Sequence, residues 1–285
     1  MTESLSNTRP WRTASLSTRP VVMGILNVTP DSFSDGGRYD TLERAVTHGL
    51  QMVEEGADVL DIGGESTRPG AASVSVDEEL ARTVPVIERL RAACDVPLSI
   101  DTSKPQVMRD AVGAGATLIN DVNALQTDGA LAAAASLDAD VCLMHRQGTA
   151  ATMQASPHYD DVVADVLAFL LARAAACEAA GIARAALMID PGYGFGKTAR
   201  HNLQLLQGLG EFVATGLPVL AGLSRKSLLQ TVTGRNVDER LAGSVALATL
   251  AADRGARVLR VHDVAATVDA MNVVHAVHDV TKTTN

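Results

Sequence analysis

Aromatic side chains are scarce in this chain: Phe, Trp and Tyr together make up 3% of its 285 residues. Hydrophobic residues nevertheless reach 47%, and Ala, Val and Leu dominate them, which is typical of helices packed on a parallel sheet. No run approaches the roughly 18 apolar residues of a membrane-spanning helix, so the sequence predicts no membrane segment. The length allows a large core, and barrels of this size are routinely a single domain.

Positive charge and cysteine are also limited. The net charge is −9, and no block of Lys and Arg could neutralise a phosphate backbone, which argues against a nucleic-acid partner. Cys94, Cys142 and Cys177 are odd in number, widely spaced and in apolar segments, so we interpret them as reduced core thiols. The first twenty residues lack the apolar stretch of a signal sequence, and we interpret them as a tail or an edge-pairing segment.

One motif recurs along the chain: a short apolar strand that ends in polar residues and a loop. Its first copy is Val21–Leu26, after which Asn27 and the segment 29–37, with its proline and paired glycines, cannot continue a sheet. Further strands are predicted at 59–62, 97–100, 117–119, 141–144, 186–189, 218–221 and 258–261. Eight strand–helix units predict an α/β fold, a (β/α)8 TIM barrel in a single domain at 21–280, with a short tail at 281–285. The alternative, an open doubly wound sheet, usually has a Gly-rich first turn at a helix start, and this chain has none.

Helix boundaries are predicted from capping signals. Residues 40–43 and 75–78 have the spacing of a capping box, and Ser103 is predicted to cap a helix with Pro105 in its first turn. A single helix is predicted over 237–254, ahead of the last strand. These signals place helices between the strands, as a barrel of this kind requires.

Polar side chains stand at the carboxyl ends of the predicted strands, which meet around one mouth in a barrel. Each one alone is more often a helix cap or a partner of the loop backbone. Together, Asp, Asn and Lys could read the donor and acceptor edge of a flat heterocycle, and Arg with His could hold a phosphate. The set is Asn27, Glu65, Thr67, Arg68, Asp101, Asn120, Asp121, His145, Asp190, Lys226, Arg260 and His262.

Seven stretches carry a resemblance to a known family. They read MGILNVTPDSFSDGG (23–37), DIGGESTRPG (61–70), SIDTSK (99–104), INDV (119–122), DPGYGFGK (190–197), GLSRKS (222–227) and RVHDV (260–264). Together they are similar to the dihydropteroate synthases, folate-pathway enzymes with a pterin-binding barrel. The resemblance runs from residue 21 to the last helix. Small departures are Tyr193, where the family usually has Phe, and Arg146 and Ala150 after the fifth strand; none belongs to the pterin or diphosphate set.

The resemblance implies a role for each matching residue. The residues expected to bind the pterin and its diphosphate are Thr67, Asp101, Asn120, Met144, Asp190, Phe195, Lys226, Arg260 and His262. Arg260 is expected to stack on the pterin ring, and the expected catalytic residues are Arg68, Lys226, Arg260 and His262. The 4-aminobenzoate site is expected to comprise Phe33, Thr67, Pro69, Ser224, Arg225 and Ser227. Asn27 is the expected protein ligand of a Mg2+ ion bound mainly by diphosphate oxygens, which suits a hard cation that keeps its waters.

The implied reaction joins a pterin methyl diphosphate to 4-aminobenzoate. Diphosphate leaves first, and the neutral amine attacks the resulting pterin-stabilised carbocation, so the reaction needs no nucleophilic side chain. The loops at 29–37 and 64–70 resemble two loops that close over the substrates and exclude water. The family further implies a cytoplasmic homodimer. The apolar stretches 246–250 and 268–277 are explained equally well as its contact face or as core.

Two other functions fit parts of the sequence. A methyltransferase barrel that passes a methyl group from a methylated folate to a corrinoid protein would share the pterin-reading Asp and Asn residues. It gives no reason for the motifs around Lys226 and Arg260 or for the long loop after Asn27. A paralogue of the synthase that has lost catalysis should have eroded loops, whereas these loops are intact. His145 is explained at least as well by a structural role as by ligand binding.

Overall fold

Eight parallel strands form the sheet at the centre of the protein. The computed structural model describes residues 9–12, 19–29, 38–67, 70–71, 73–149, 152–153 and 155–280. The strands are Val21–Asn27 (β1), Val59–Gly63 (β2), Leu98–Asp101 (β3), Leu118–Asp121 (β4), Asp140–Met144 (β5), Leu187–Asp190 (β6), Leu220–Ala221 (β7) and Val258–Val261 (β8). The α-helices of the described residues are Arg38–Glu54 (α1), Val76–Ala93 (α2), Pro105–Gly113 (α3), Ala130–Ala135 (α4), Val162–Ala179 (α5), Ala199–Gln207 (α6), Leu209–Val213 (α7), Ser227–Thr233 (α8), Leu241–Asp253 (α9) and Val264–His278 (α10).

The sheet closes on itself. Its strand order is β6-β5-β4-β3-β2-β1-β8-β7, so β1 pairs with both β2 and β8. A bridge between Ile189 and Val219 joins the ends of this order, and the Ile189 amide donates to the Pro218 carbonyl at 3.0 Å. The predicted (β/α)8 barrel is therefore confirmed. Within the described residues, no helix combines the length and apolar character needed to cross a membrane.

Helix starts differ from the sequence prediction more than strands do. Ser75 caps α2 as predicted, accepting the Glu78 amide N–H at 3.2 Å. The cap predicted at Ser103 is wrong: α3 follows Lys104, and the Ser103 hydroxyl donates to the carboxylate of Asp121 instead. This acceptor comes from another strand, and no local pattern reveals it. The capping box predicted at 40–43 is also wrong, because α1 has already begun at residue 38.

The segment between β6 and β8 holds more helices than predicted. α6, α7 and α8 are only five to nine residues long. They are shorter than the window of roughly 11 to 18 residues over which an apolar period is recognised. The single helix predicted over 237–254 is divided into a 3-10 turn at Val237–Glu239 and α9. Arg240 lies between them, with its guanidinium donating to the carbonyls of Arg225 and Arg235 at 3.0 and 3.2 Å. This buried side chain ties the break in the helix to the loop after β7.

The pleat of the strands divides their side chains between two cores. One set, including Leu60, Ile62 and Ile100, belongs to the main core together with helix residues. The alternate set forms a second buried cluster with Trp11: Val21, Met23, Val59, Leu118, Cys142, Met188, Leu220 and Val258. This second cluster fills the barrel interior, as the alternation of strand side chains requires. All three cysteines are free thiols; Cys142 and Cys177 are buried as predicted, whereas Cys94 is only half-buried.

Residues 9–12 are bound to the start of β5. Trp11 is 1% exposed, and its Nε1–H donates to Asp140 at 2.6 Å. Arg9 Nη1 and Arg12 Nε donate to the same carboxylate at 2.8 and 2.7 Å. The Asp140 side chain is itself 1% exposed, so its buried charge is compensated by several donors. The division of the chain at residue 20 stays a proposal.

Asp140→Asn is expected to lower the free energy of unfolding by about 3 to 5 kcal/mol, because two guanidinium groups lose a buried anion. Asp138→Asn is the matched control. Asp138 also pairs with Arg9, but its side chain is 90% exposed, and an exposed pair contributes little. Urea unfolding followed by circular dichroism measures both variants. Equal losses would contradict an anchoring role for Asp140.

Candidate active site

At the carboxyl ends of the strands, the inner positions of the barrel become polar. Asp61, Asp101, Asn120 and Asp190 are each at most 8% exposed. They come from β2, β3, β4 and β6; the first three strands are neighbours in the sheet, and the curvature of the barrel brings β6 to the same mouth. Three of the four were predicted at strand ends. Asp61 was missed because it lies inside β2, before the strand ends at residue 63.

Arg260, from β8, connects these side chains. Its Nε donates to Asp61 Oδ2 at 2.5 Å, and its Nη2 donates to Asp101 Oδ2 at 2.8 Å. The Asn120 side-chain amide donates to the same Asp61 oxygen at 3.1 Å. Four strands thus contribute to one hydrogen-bonded network at the mouth, and Asp61 is its common acceptor.

Burial disfavours the charged forms of the carboxyl groups in this part of the barrel. Burial raises the pKa of Asp101 to about 7; Arg260 opposes this shift, and Asp61 adds to it. Burial likewise raises the pKa of Asp190 to about 6, against the Gly192 amide and the charge of Lys226. Burial alone would lower the pKa of Arg260, but its carboxylate partners raise it further above its ordinary value. A bound group that is cationic or donates hydrogen bonds would therefore stabilise these buried carboxylates more than it would stabilise exposed ones.

Lys226 lies beside an aromatic wall. Its Nζ is 4.2 Å from the centre of the Phe195 ring, within the range of a cation–π interaction. Phe195 is half-buried in the loop after β6, and Met144, at the end of β5, is 4% exposed. Gly194 has φ +80°, and a Cβ there would lie 3.1 Å from Lys226 Cδ, so a glycine gives the lysine stem room.

A second polar group lies at the ends of β7 and β8. Ser224 Oγ is 3.0 Å from His262 Nδ1 and accepts the His262 amide N–H at 3.2 Å. Arg225 makes a two-point ion pair with Asp263, at 2.5 and 3.1 Å. Burial, with Arg260 nearby, lowers the pKa of His262 to about 3, so the imidazole is neutral at physiological pH. It can donate or accept a hydrogen bond, and it becomes cationic only when an anion raises its pKa.

The start of the loop after β2 is anchored to neighbouring helices. Arg82, on α2, donates to the carbonyl of residue 64 at 2.7 Å. Lys104 pairs with Glu65 in the loop and with Glu79, a buried residue of α2. Lys104, the last residue of the motif at 99–104, therefore supports this loop. The predicted site did not include this residue.

The other predicted site residues fall into two groups. Thr67 is half-buried after the anchored loop start, and Ser227 is exposed as the first residue of α8. Phe33, Arg68 and Pro69 lie outside the described residues. Their roles stay predictions.

Asn27 ends β1 and offers a neutral oxygen ligand. Next to it, a Cβ built on Gly63 would lie 3.7 Å from Asn27 Oδ1 and 3.6 Å from Asp101 Cβ, so the glycine leaves space between these side chains. No group of three His, Cys, Asp or Glu side chains among the described residues is arranged to hold a metal ion. A cation at Asn27 would need most of its ligands from a bound molecule.

Comparison with known proteins decides the family. The family described as "Pterin binding enzyme" matches residues 23–262. The dihydropteroate synthase of Escherichia coli K12 is 53% identical over 257 residues, covering 90% of this chain and 91% of that protein. The chain belongs to the pterin-binding enzyme family. The matched span includes Asn27, Lys226 and the whole network around Arg260.

Solved structures support the same family. Xanthomonas albilineans dihydropteroate synthase with 4-aminobenzoic acid has a TM-score of 0.87 and 60% identity, covering 92% of this chain and 94% of that chain. The Xanthomonas albilineans enzyme in complex with 7,8-dihydropteroate has a TM-score of 0.84 and 57% identity, again covering 92% and 94%. The predicted resemblance to the dihydropteroate synthases is confirmed.

Asp190→Asn is expected to stabilise the ligand-free protein at pH 7.5. Folding raises the pKa of Asp190 from 3.8 to about 6. The stability that this shift contributes is therefore fully present below pH 3.8 and is lost as the pH rises through about 6. At roughly 1.4 kcal/mol for each pKa unit, the neutral amide should gain on the order of 2 to 3 kcal/mol at pH 7.5 and much less at about pH 4.5. Urea unfolding at both pH values measures this gain.

The control for this variant is Asp95→Asn, at an exposed position ahead of β3 and so at the end of the barrel opposite the mouth. It should change the free energy of unfolding little at either pH. A gain in the Asp190 variant that does not depend on pH would show that the buried charge is not its cause.

Proposed function

We propose that this chain condenses (7,8-dihydropterin-6-yl)methyl diphosphate with 4-aminobenzoate, giving 7,8-dihydropteroate and diphosphate. The observation that carries the proposal is the buried network of carboxylates, amide and guanidinium at the barrel mouth, in a chain 53 to 60% identical to dihydropteroate synthases. Relatives have been solved with 4-aminobenzoic acid and with 7,8-dihydropteroate, which are the second substrate and the product of this reaction.

The pterin is read by Asp190, Asn120 and Lys226 in this proposal. Ionised Asp190 accepts N–H groups of the aminopyrimidine edge, and Lys226 donates to the ring oxygen. The Asn120 amide nitrogen is committed to Asp61, which favours a defined orientation of that side chain. Arg260 is tied at two of its nitrogens, and a guanidinium with a fixed plane is suited to stacking on a flat ring.

The chemistry requires charge stabilisation rather than a nucleophile. The bond between the pterin methylene carbon and the diphosphate oxygen breaks, and its electron pair leaves with the oxygen. Arg260, His262 and Arg68 stabilise the departing anion, while the carboxylates of the mouth favour the cationic ring. The amine nitrogen of 4-aminobenzoate then bonds to the methylene carbon and loses a proton. Burial raises the pKa of the Cys142 thiol, which keeps it protonated and argues against a thiolate nucleophile.

The 4-aminobenzoate side is proposed to comprise Thr67, Ser224, Arg225 and Ser227, with Phe33 and Pro69 from the undescribed segments. Arg225 supports this proposal: its φ is +56°, a backbone conformation that is costly for a side chain larger than glycine. Arg240 donates to the Arg225 carbonyl at 3.0 Å, and Ser244 accepts the Arg225 amide N–H at 3.0 Å. The strained residue is thus held from both of its backbone groups. Exclusion of water by the loops 29–37 and 64–70 belongs to the same proposal.

Mg2+ is the proposed metal, with Asn27 as its protein ligand. The donor set fits this ion, because one neutral oxygen suits a hard cation that arrives on diphosphate and keeps its waters. When bound, the ion would stabilise negative charge on the leaving diphosphate. The chain's own part is to hold the site open beside Gly63 and to orient the Asn27 oxygen.

A cytoplasmic homodimer completes the proposal. Free thiols suit a reducing compartment. Helices α9 and α10 each have a buried side and an exposed side. On the exposed side, Leu241 and Leu250 of α9 and Val273 and Val277 of α10 are 43 to 64% exposed. Such a surface favours a contact between copies over a purely internal role. Sedimentation velocity tests this, and a monomer at micromolar concentration would contradict it.

Lys226→Ala and Asp190→Ala should each weaken pterin binding by on the order of 2 to 5 kcal/mol, because a desolvated group loses its partner. Calorimetric titration with 6-hydroxymethylpterin measures this, and Asp95→Ala, at the opposite end of the barrel, should bind like the wild type. With the pterin methyl diphosphate as substrate, the release of diphosphate in the presence of 4-aminobenzoate measures the reaction. Near-normal binding by both variants would overturn the pterin assignment. Binding without diphosphate release would favour the silent paralogue, and methyl transfer to a corrinoid would favour the methyltransferase.

Mg2+ should bind weakly to the free protein and tightly only in the presence of diphosphate, because Asn27 contributes a single neutral oxygen. Titration of Mg2+ with and without pyrophosphate measures the difference. Asn27→Ala should reduce the affinity seen with pyrophosphate. Tight binding of Mg2+ to the chain alone, at low micromolar concentration, would contradict this metal site.

A further inference from the structure

Lys197 is buried behind the pterin side of the mouth, and neither the predicted site nor the proposed chemistry uses it. It is 3% exposed. Its amine lies 2.9 Å from His145 Nδ1 and donates to the carbonyls of Gly192 and Phe195 at 2.9 and 3.0 Å. A longer bond, of 3.3 Å, reaches the carbonyl of His145. The side chain therefore joins two points of the loop after β6 to the end of β5.

The charges around this amine come from several elements. His145 follows β5, Asp190 ends β6, Lys226 follows β7, and His201 lies on α6. Burial lowers the pKa of Lys197 to about 7; Asp190 opposes the shift and Lys226 adds to it. Burial and the nearby lysine lower the pKa of His145 to about 3, so its imidazole is neutral and Nδ1 accepts from the ammonium. The charge of Lys197 in turn favours ionised Asp190.

The loop that Lys197 holds is closely packed and carries the pterin-reading groups. Gly192 has φ +71°, and a Cβ there would lie 1.9 Å from the His145 carbonyl oxygen, so this backbone contact excludes any side chain. The Gly192 amide donates to Asp190 Oδ1 at 2.7 Å. Three residues further on, Phe195 provides the ring beside Lys226. A shift of the loop would therefore displace both the acceptor and the donor proposed to read the pterin.

We propose that Lys197 is a positioning residue of the pterin pocket: its amine fixes the loop after β6 against the end of β5 and, through the Gly192 backbone, the side chain of Asp190. This inference rests on the proposed function, since it assigns Lys197 a part in pterin binding. Lys197 does not contact the substrate in this assignment. It acts through Asp190, Phe195 and Lys226.

The test compares Lys197→Met and Lys197→Gln with the wild type by calorimetric titration of 6-hydroxymethylpterin between pH 5 and 8.5. Wild-type binding should weaken below about pH 6, where Asp190 takes up a proton. Both variants should bind about 10- to 100-fold more weakly at neutral pH, the range for removal of a supporting group behind a binding residue. The acid limb of the binding profile, which is the fall in pterin affinity at low pH, should move to higher pH in both variants, because Asp190 loses a neighbouring cation.

Arg257→Met is the matched control. Arg257 also binds two backbone carbonyls, those of Arg19 and Pro10, at 2.7 and 2.8 Å, but it precedes β8 and so lies at the end of the barrel opposite the mouth. It should lower the free energy of unfolding without changing pterin affinity or its pH profile. A similar result for the Lys197 variants, with lower stability but an unmoved acid limb and normal affinity, would overturn the proposal and leave a structural role only.

A further variant keeps the test decisive if the Lys197 variants do not fold. Asn202 Oδ1 accepts the Gly194 amide N–H at 2.7 Å and holds the same loop from α6 without a charge. Asn202→Ala should weaken pterin binding and leave the acid limb in place; unchanged affinity would contradict the importance of loop position. Wild-type protein that binds no pterin would overturn the proposed function itself. Normal wild-type binding with unaffected variants would overturn this inference alone.

Discussion

Closure of eight short parallel strands into a barrel places the same constraint on every strand: alternate side chains must share one interior. In the amino-terminal half this interior is filled by apolar side chains such as Met23, Leu118 and Val258. Near the carboxyl ends, the same faces carry Asp61, Asp101, Asn120, Asp190 and Arg260. The apolar layer excludes water beneath the polar one. The charges of the mouth therefore interact in a medium of low polarity, where both their attraction and their desolvation are large.

Two kinds of buried carboxylate illustrate what this arrangement costs. Asp140 lies at the start of β5 and receives bonds from Arg9, Trp11 and Arg12, so its charge is compensated within the fold. Asp190 accepts the amide N–H of Gly192, and burial raises its pKa. Burial therefore makes the charge of Asp190 costly in the ligand-free protein. A ligand that offers N–H donors would stabilise this charge, so the same burial that lowers stability favours binding.

Local sequence patterns predicted the strands well but did not predict the side-chain contacts between segments that are distant in the chain. Each strand is a short apolar run, and burial on both faces of the sheet requires such a run whatever its partners are. Ser103 shows the limit: its spacing before Pro105 is that of a cap, but its hydroxyl binds Asp121 from the next strand. Arg240 shows the same limit, because the residue at the break between two helical segments binds the Arg225 carbonyl in the loop after β7. Such contacts join residues that are distant in the chain.

The sequence by itself determined the number of strand–helix units, the polar ends of the strands and the family motifs. These features depend on residue type and spacing along the chain, so they can be read without coordinates. The tertiary structure decided which of these residues act together. In the sequence, Asp61 lies within an apolar run; in the fold, its carboxylate accepts hydrogen bonds from both Arg260 and Asn120. Lys197 ends a glycine-rich motif in sequence and lies buried against His145, 52 positions away, in the fold. Strand pairing in the barrel creates both contacts, because β2 and β8 flank β1 and β5 pairs with β6. No local stretch of the sequence specifies these neighbours.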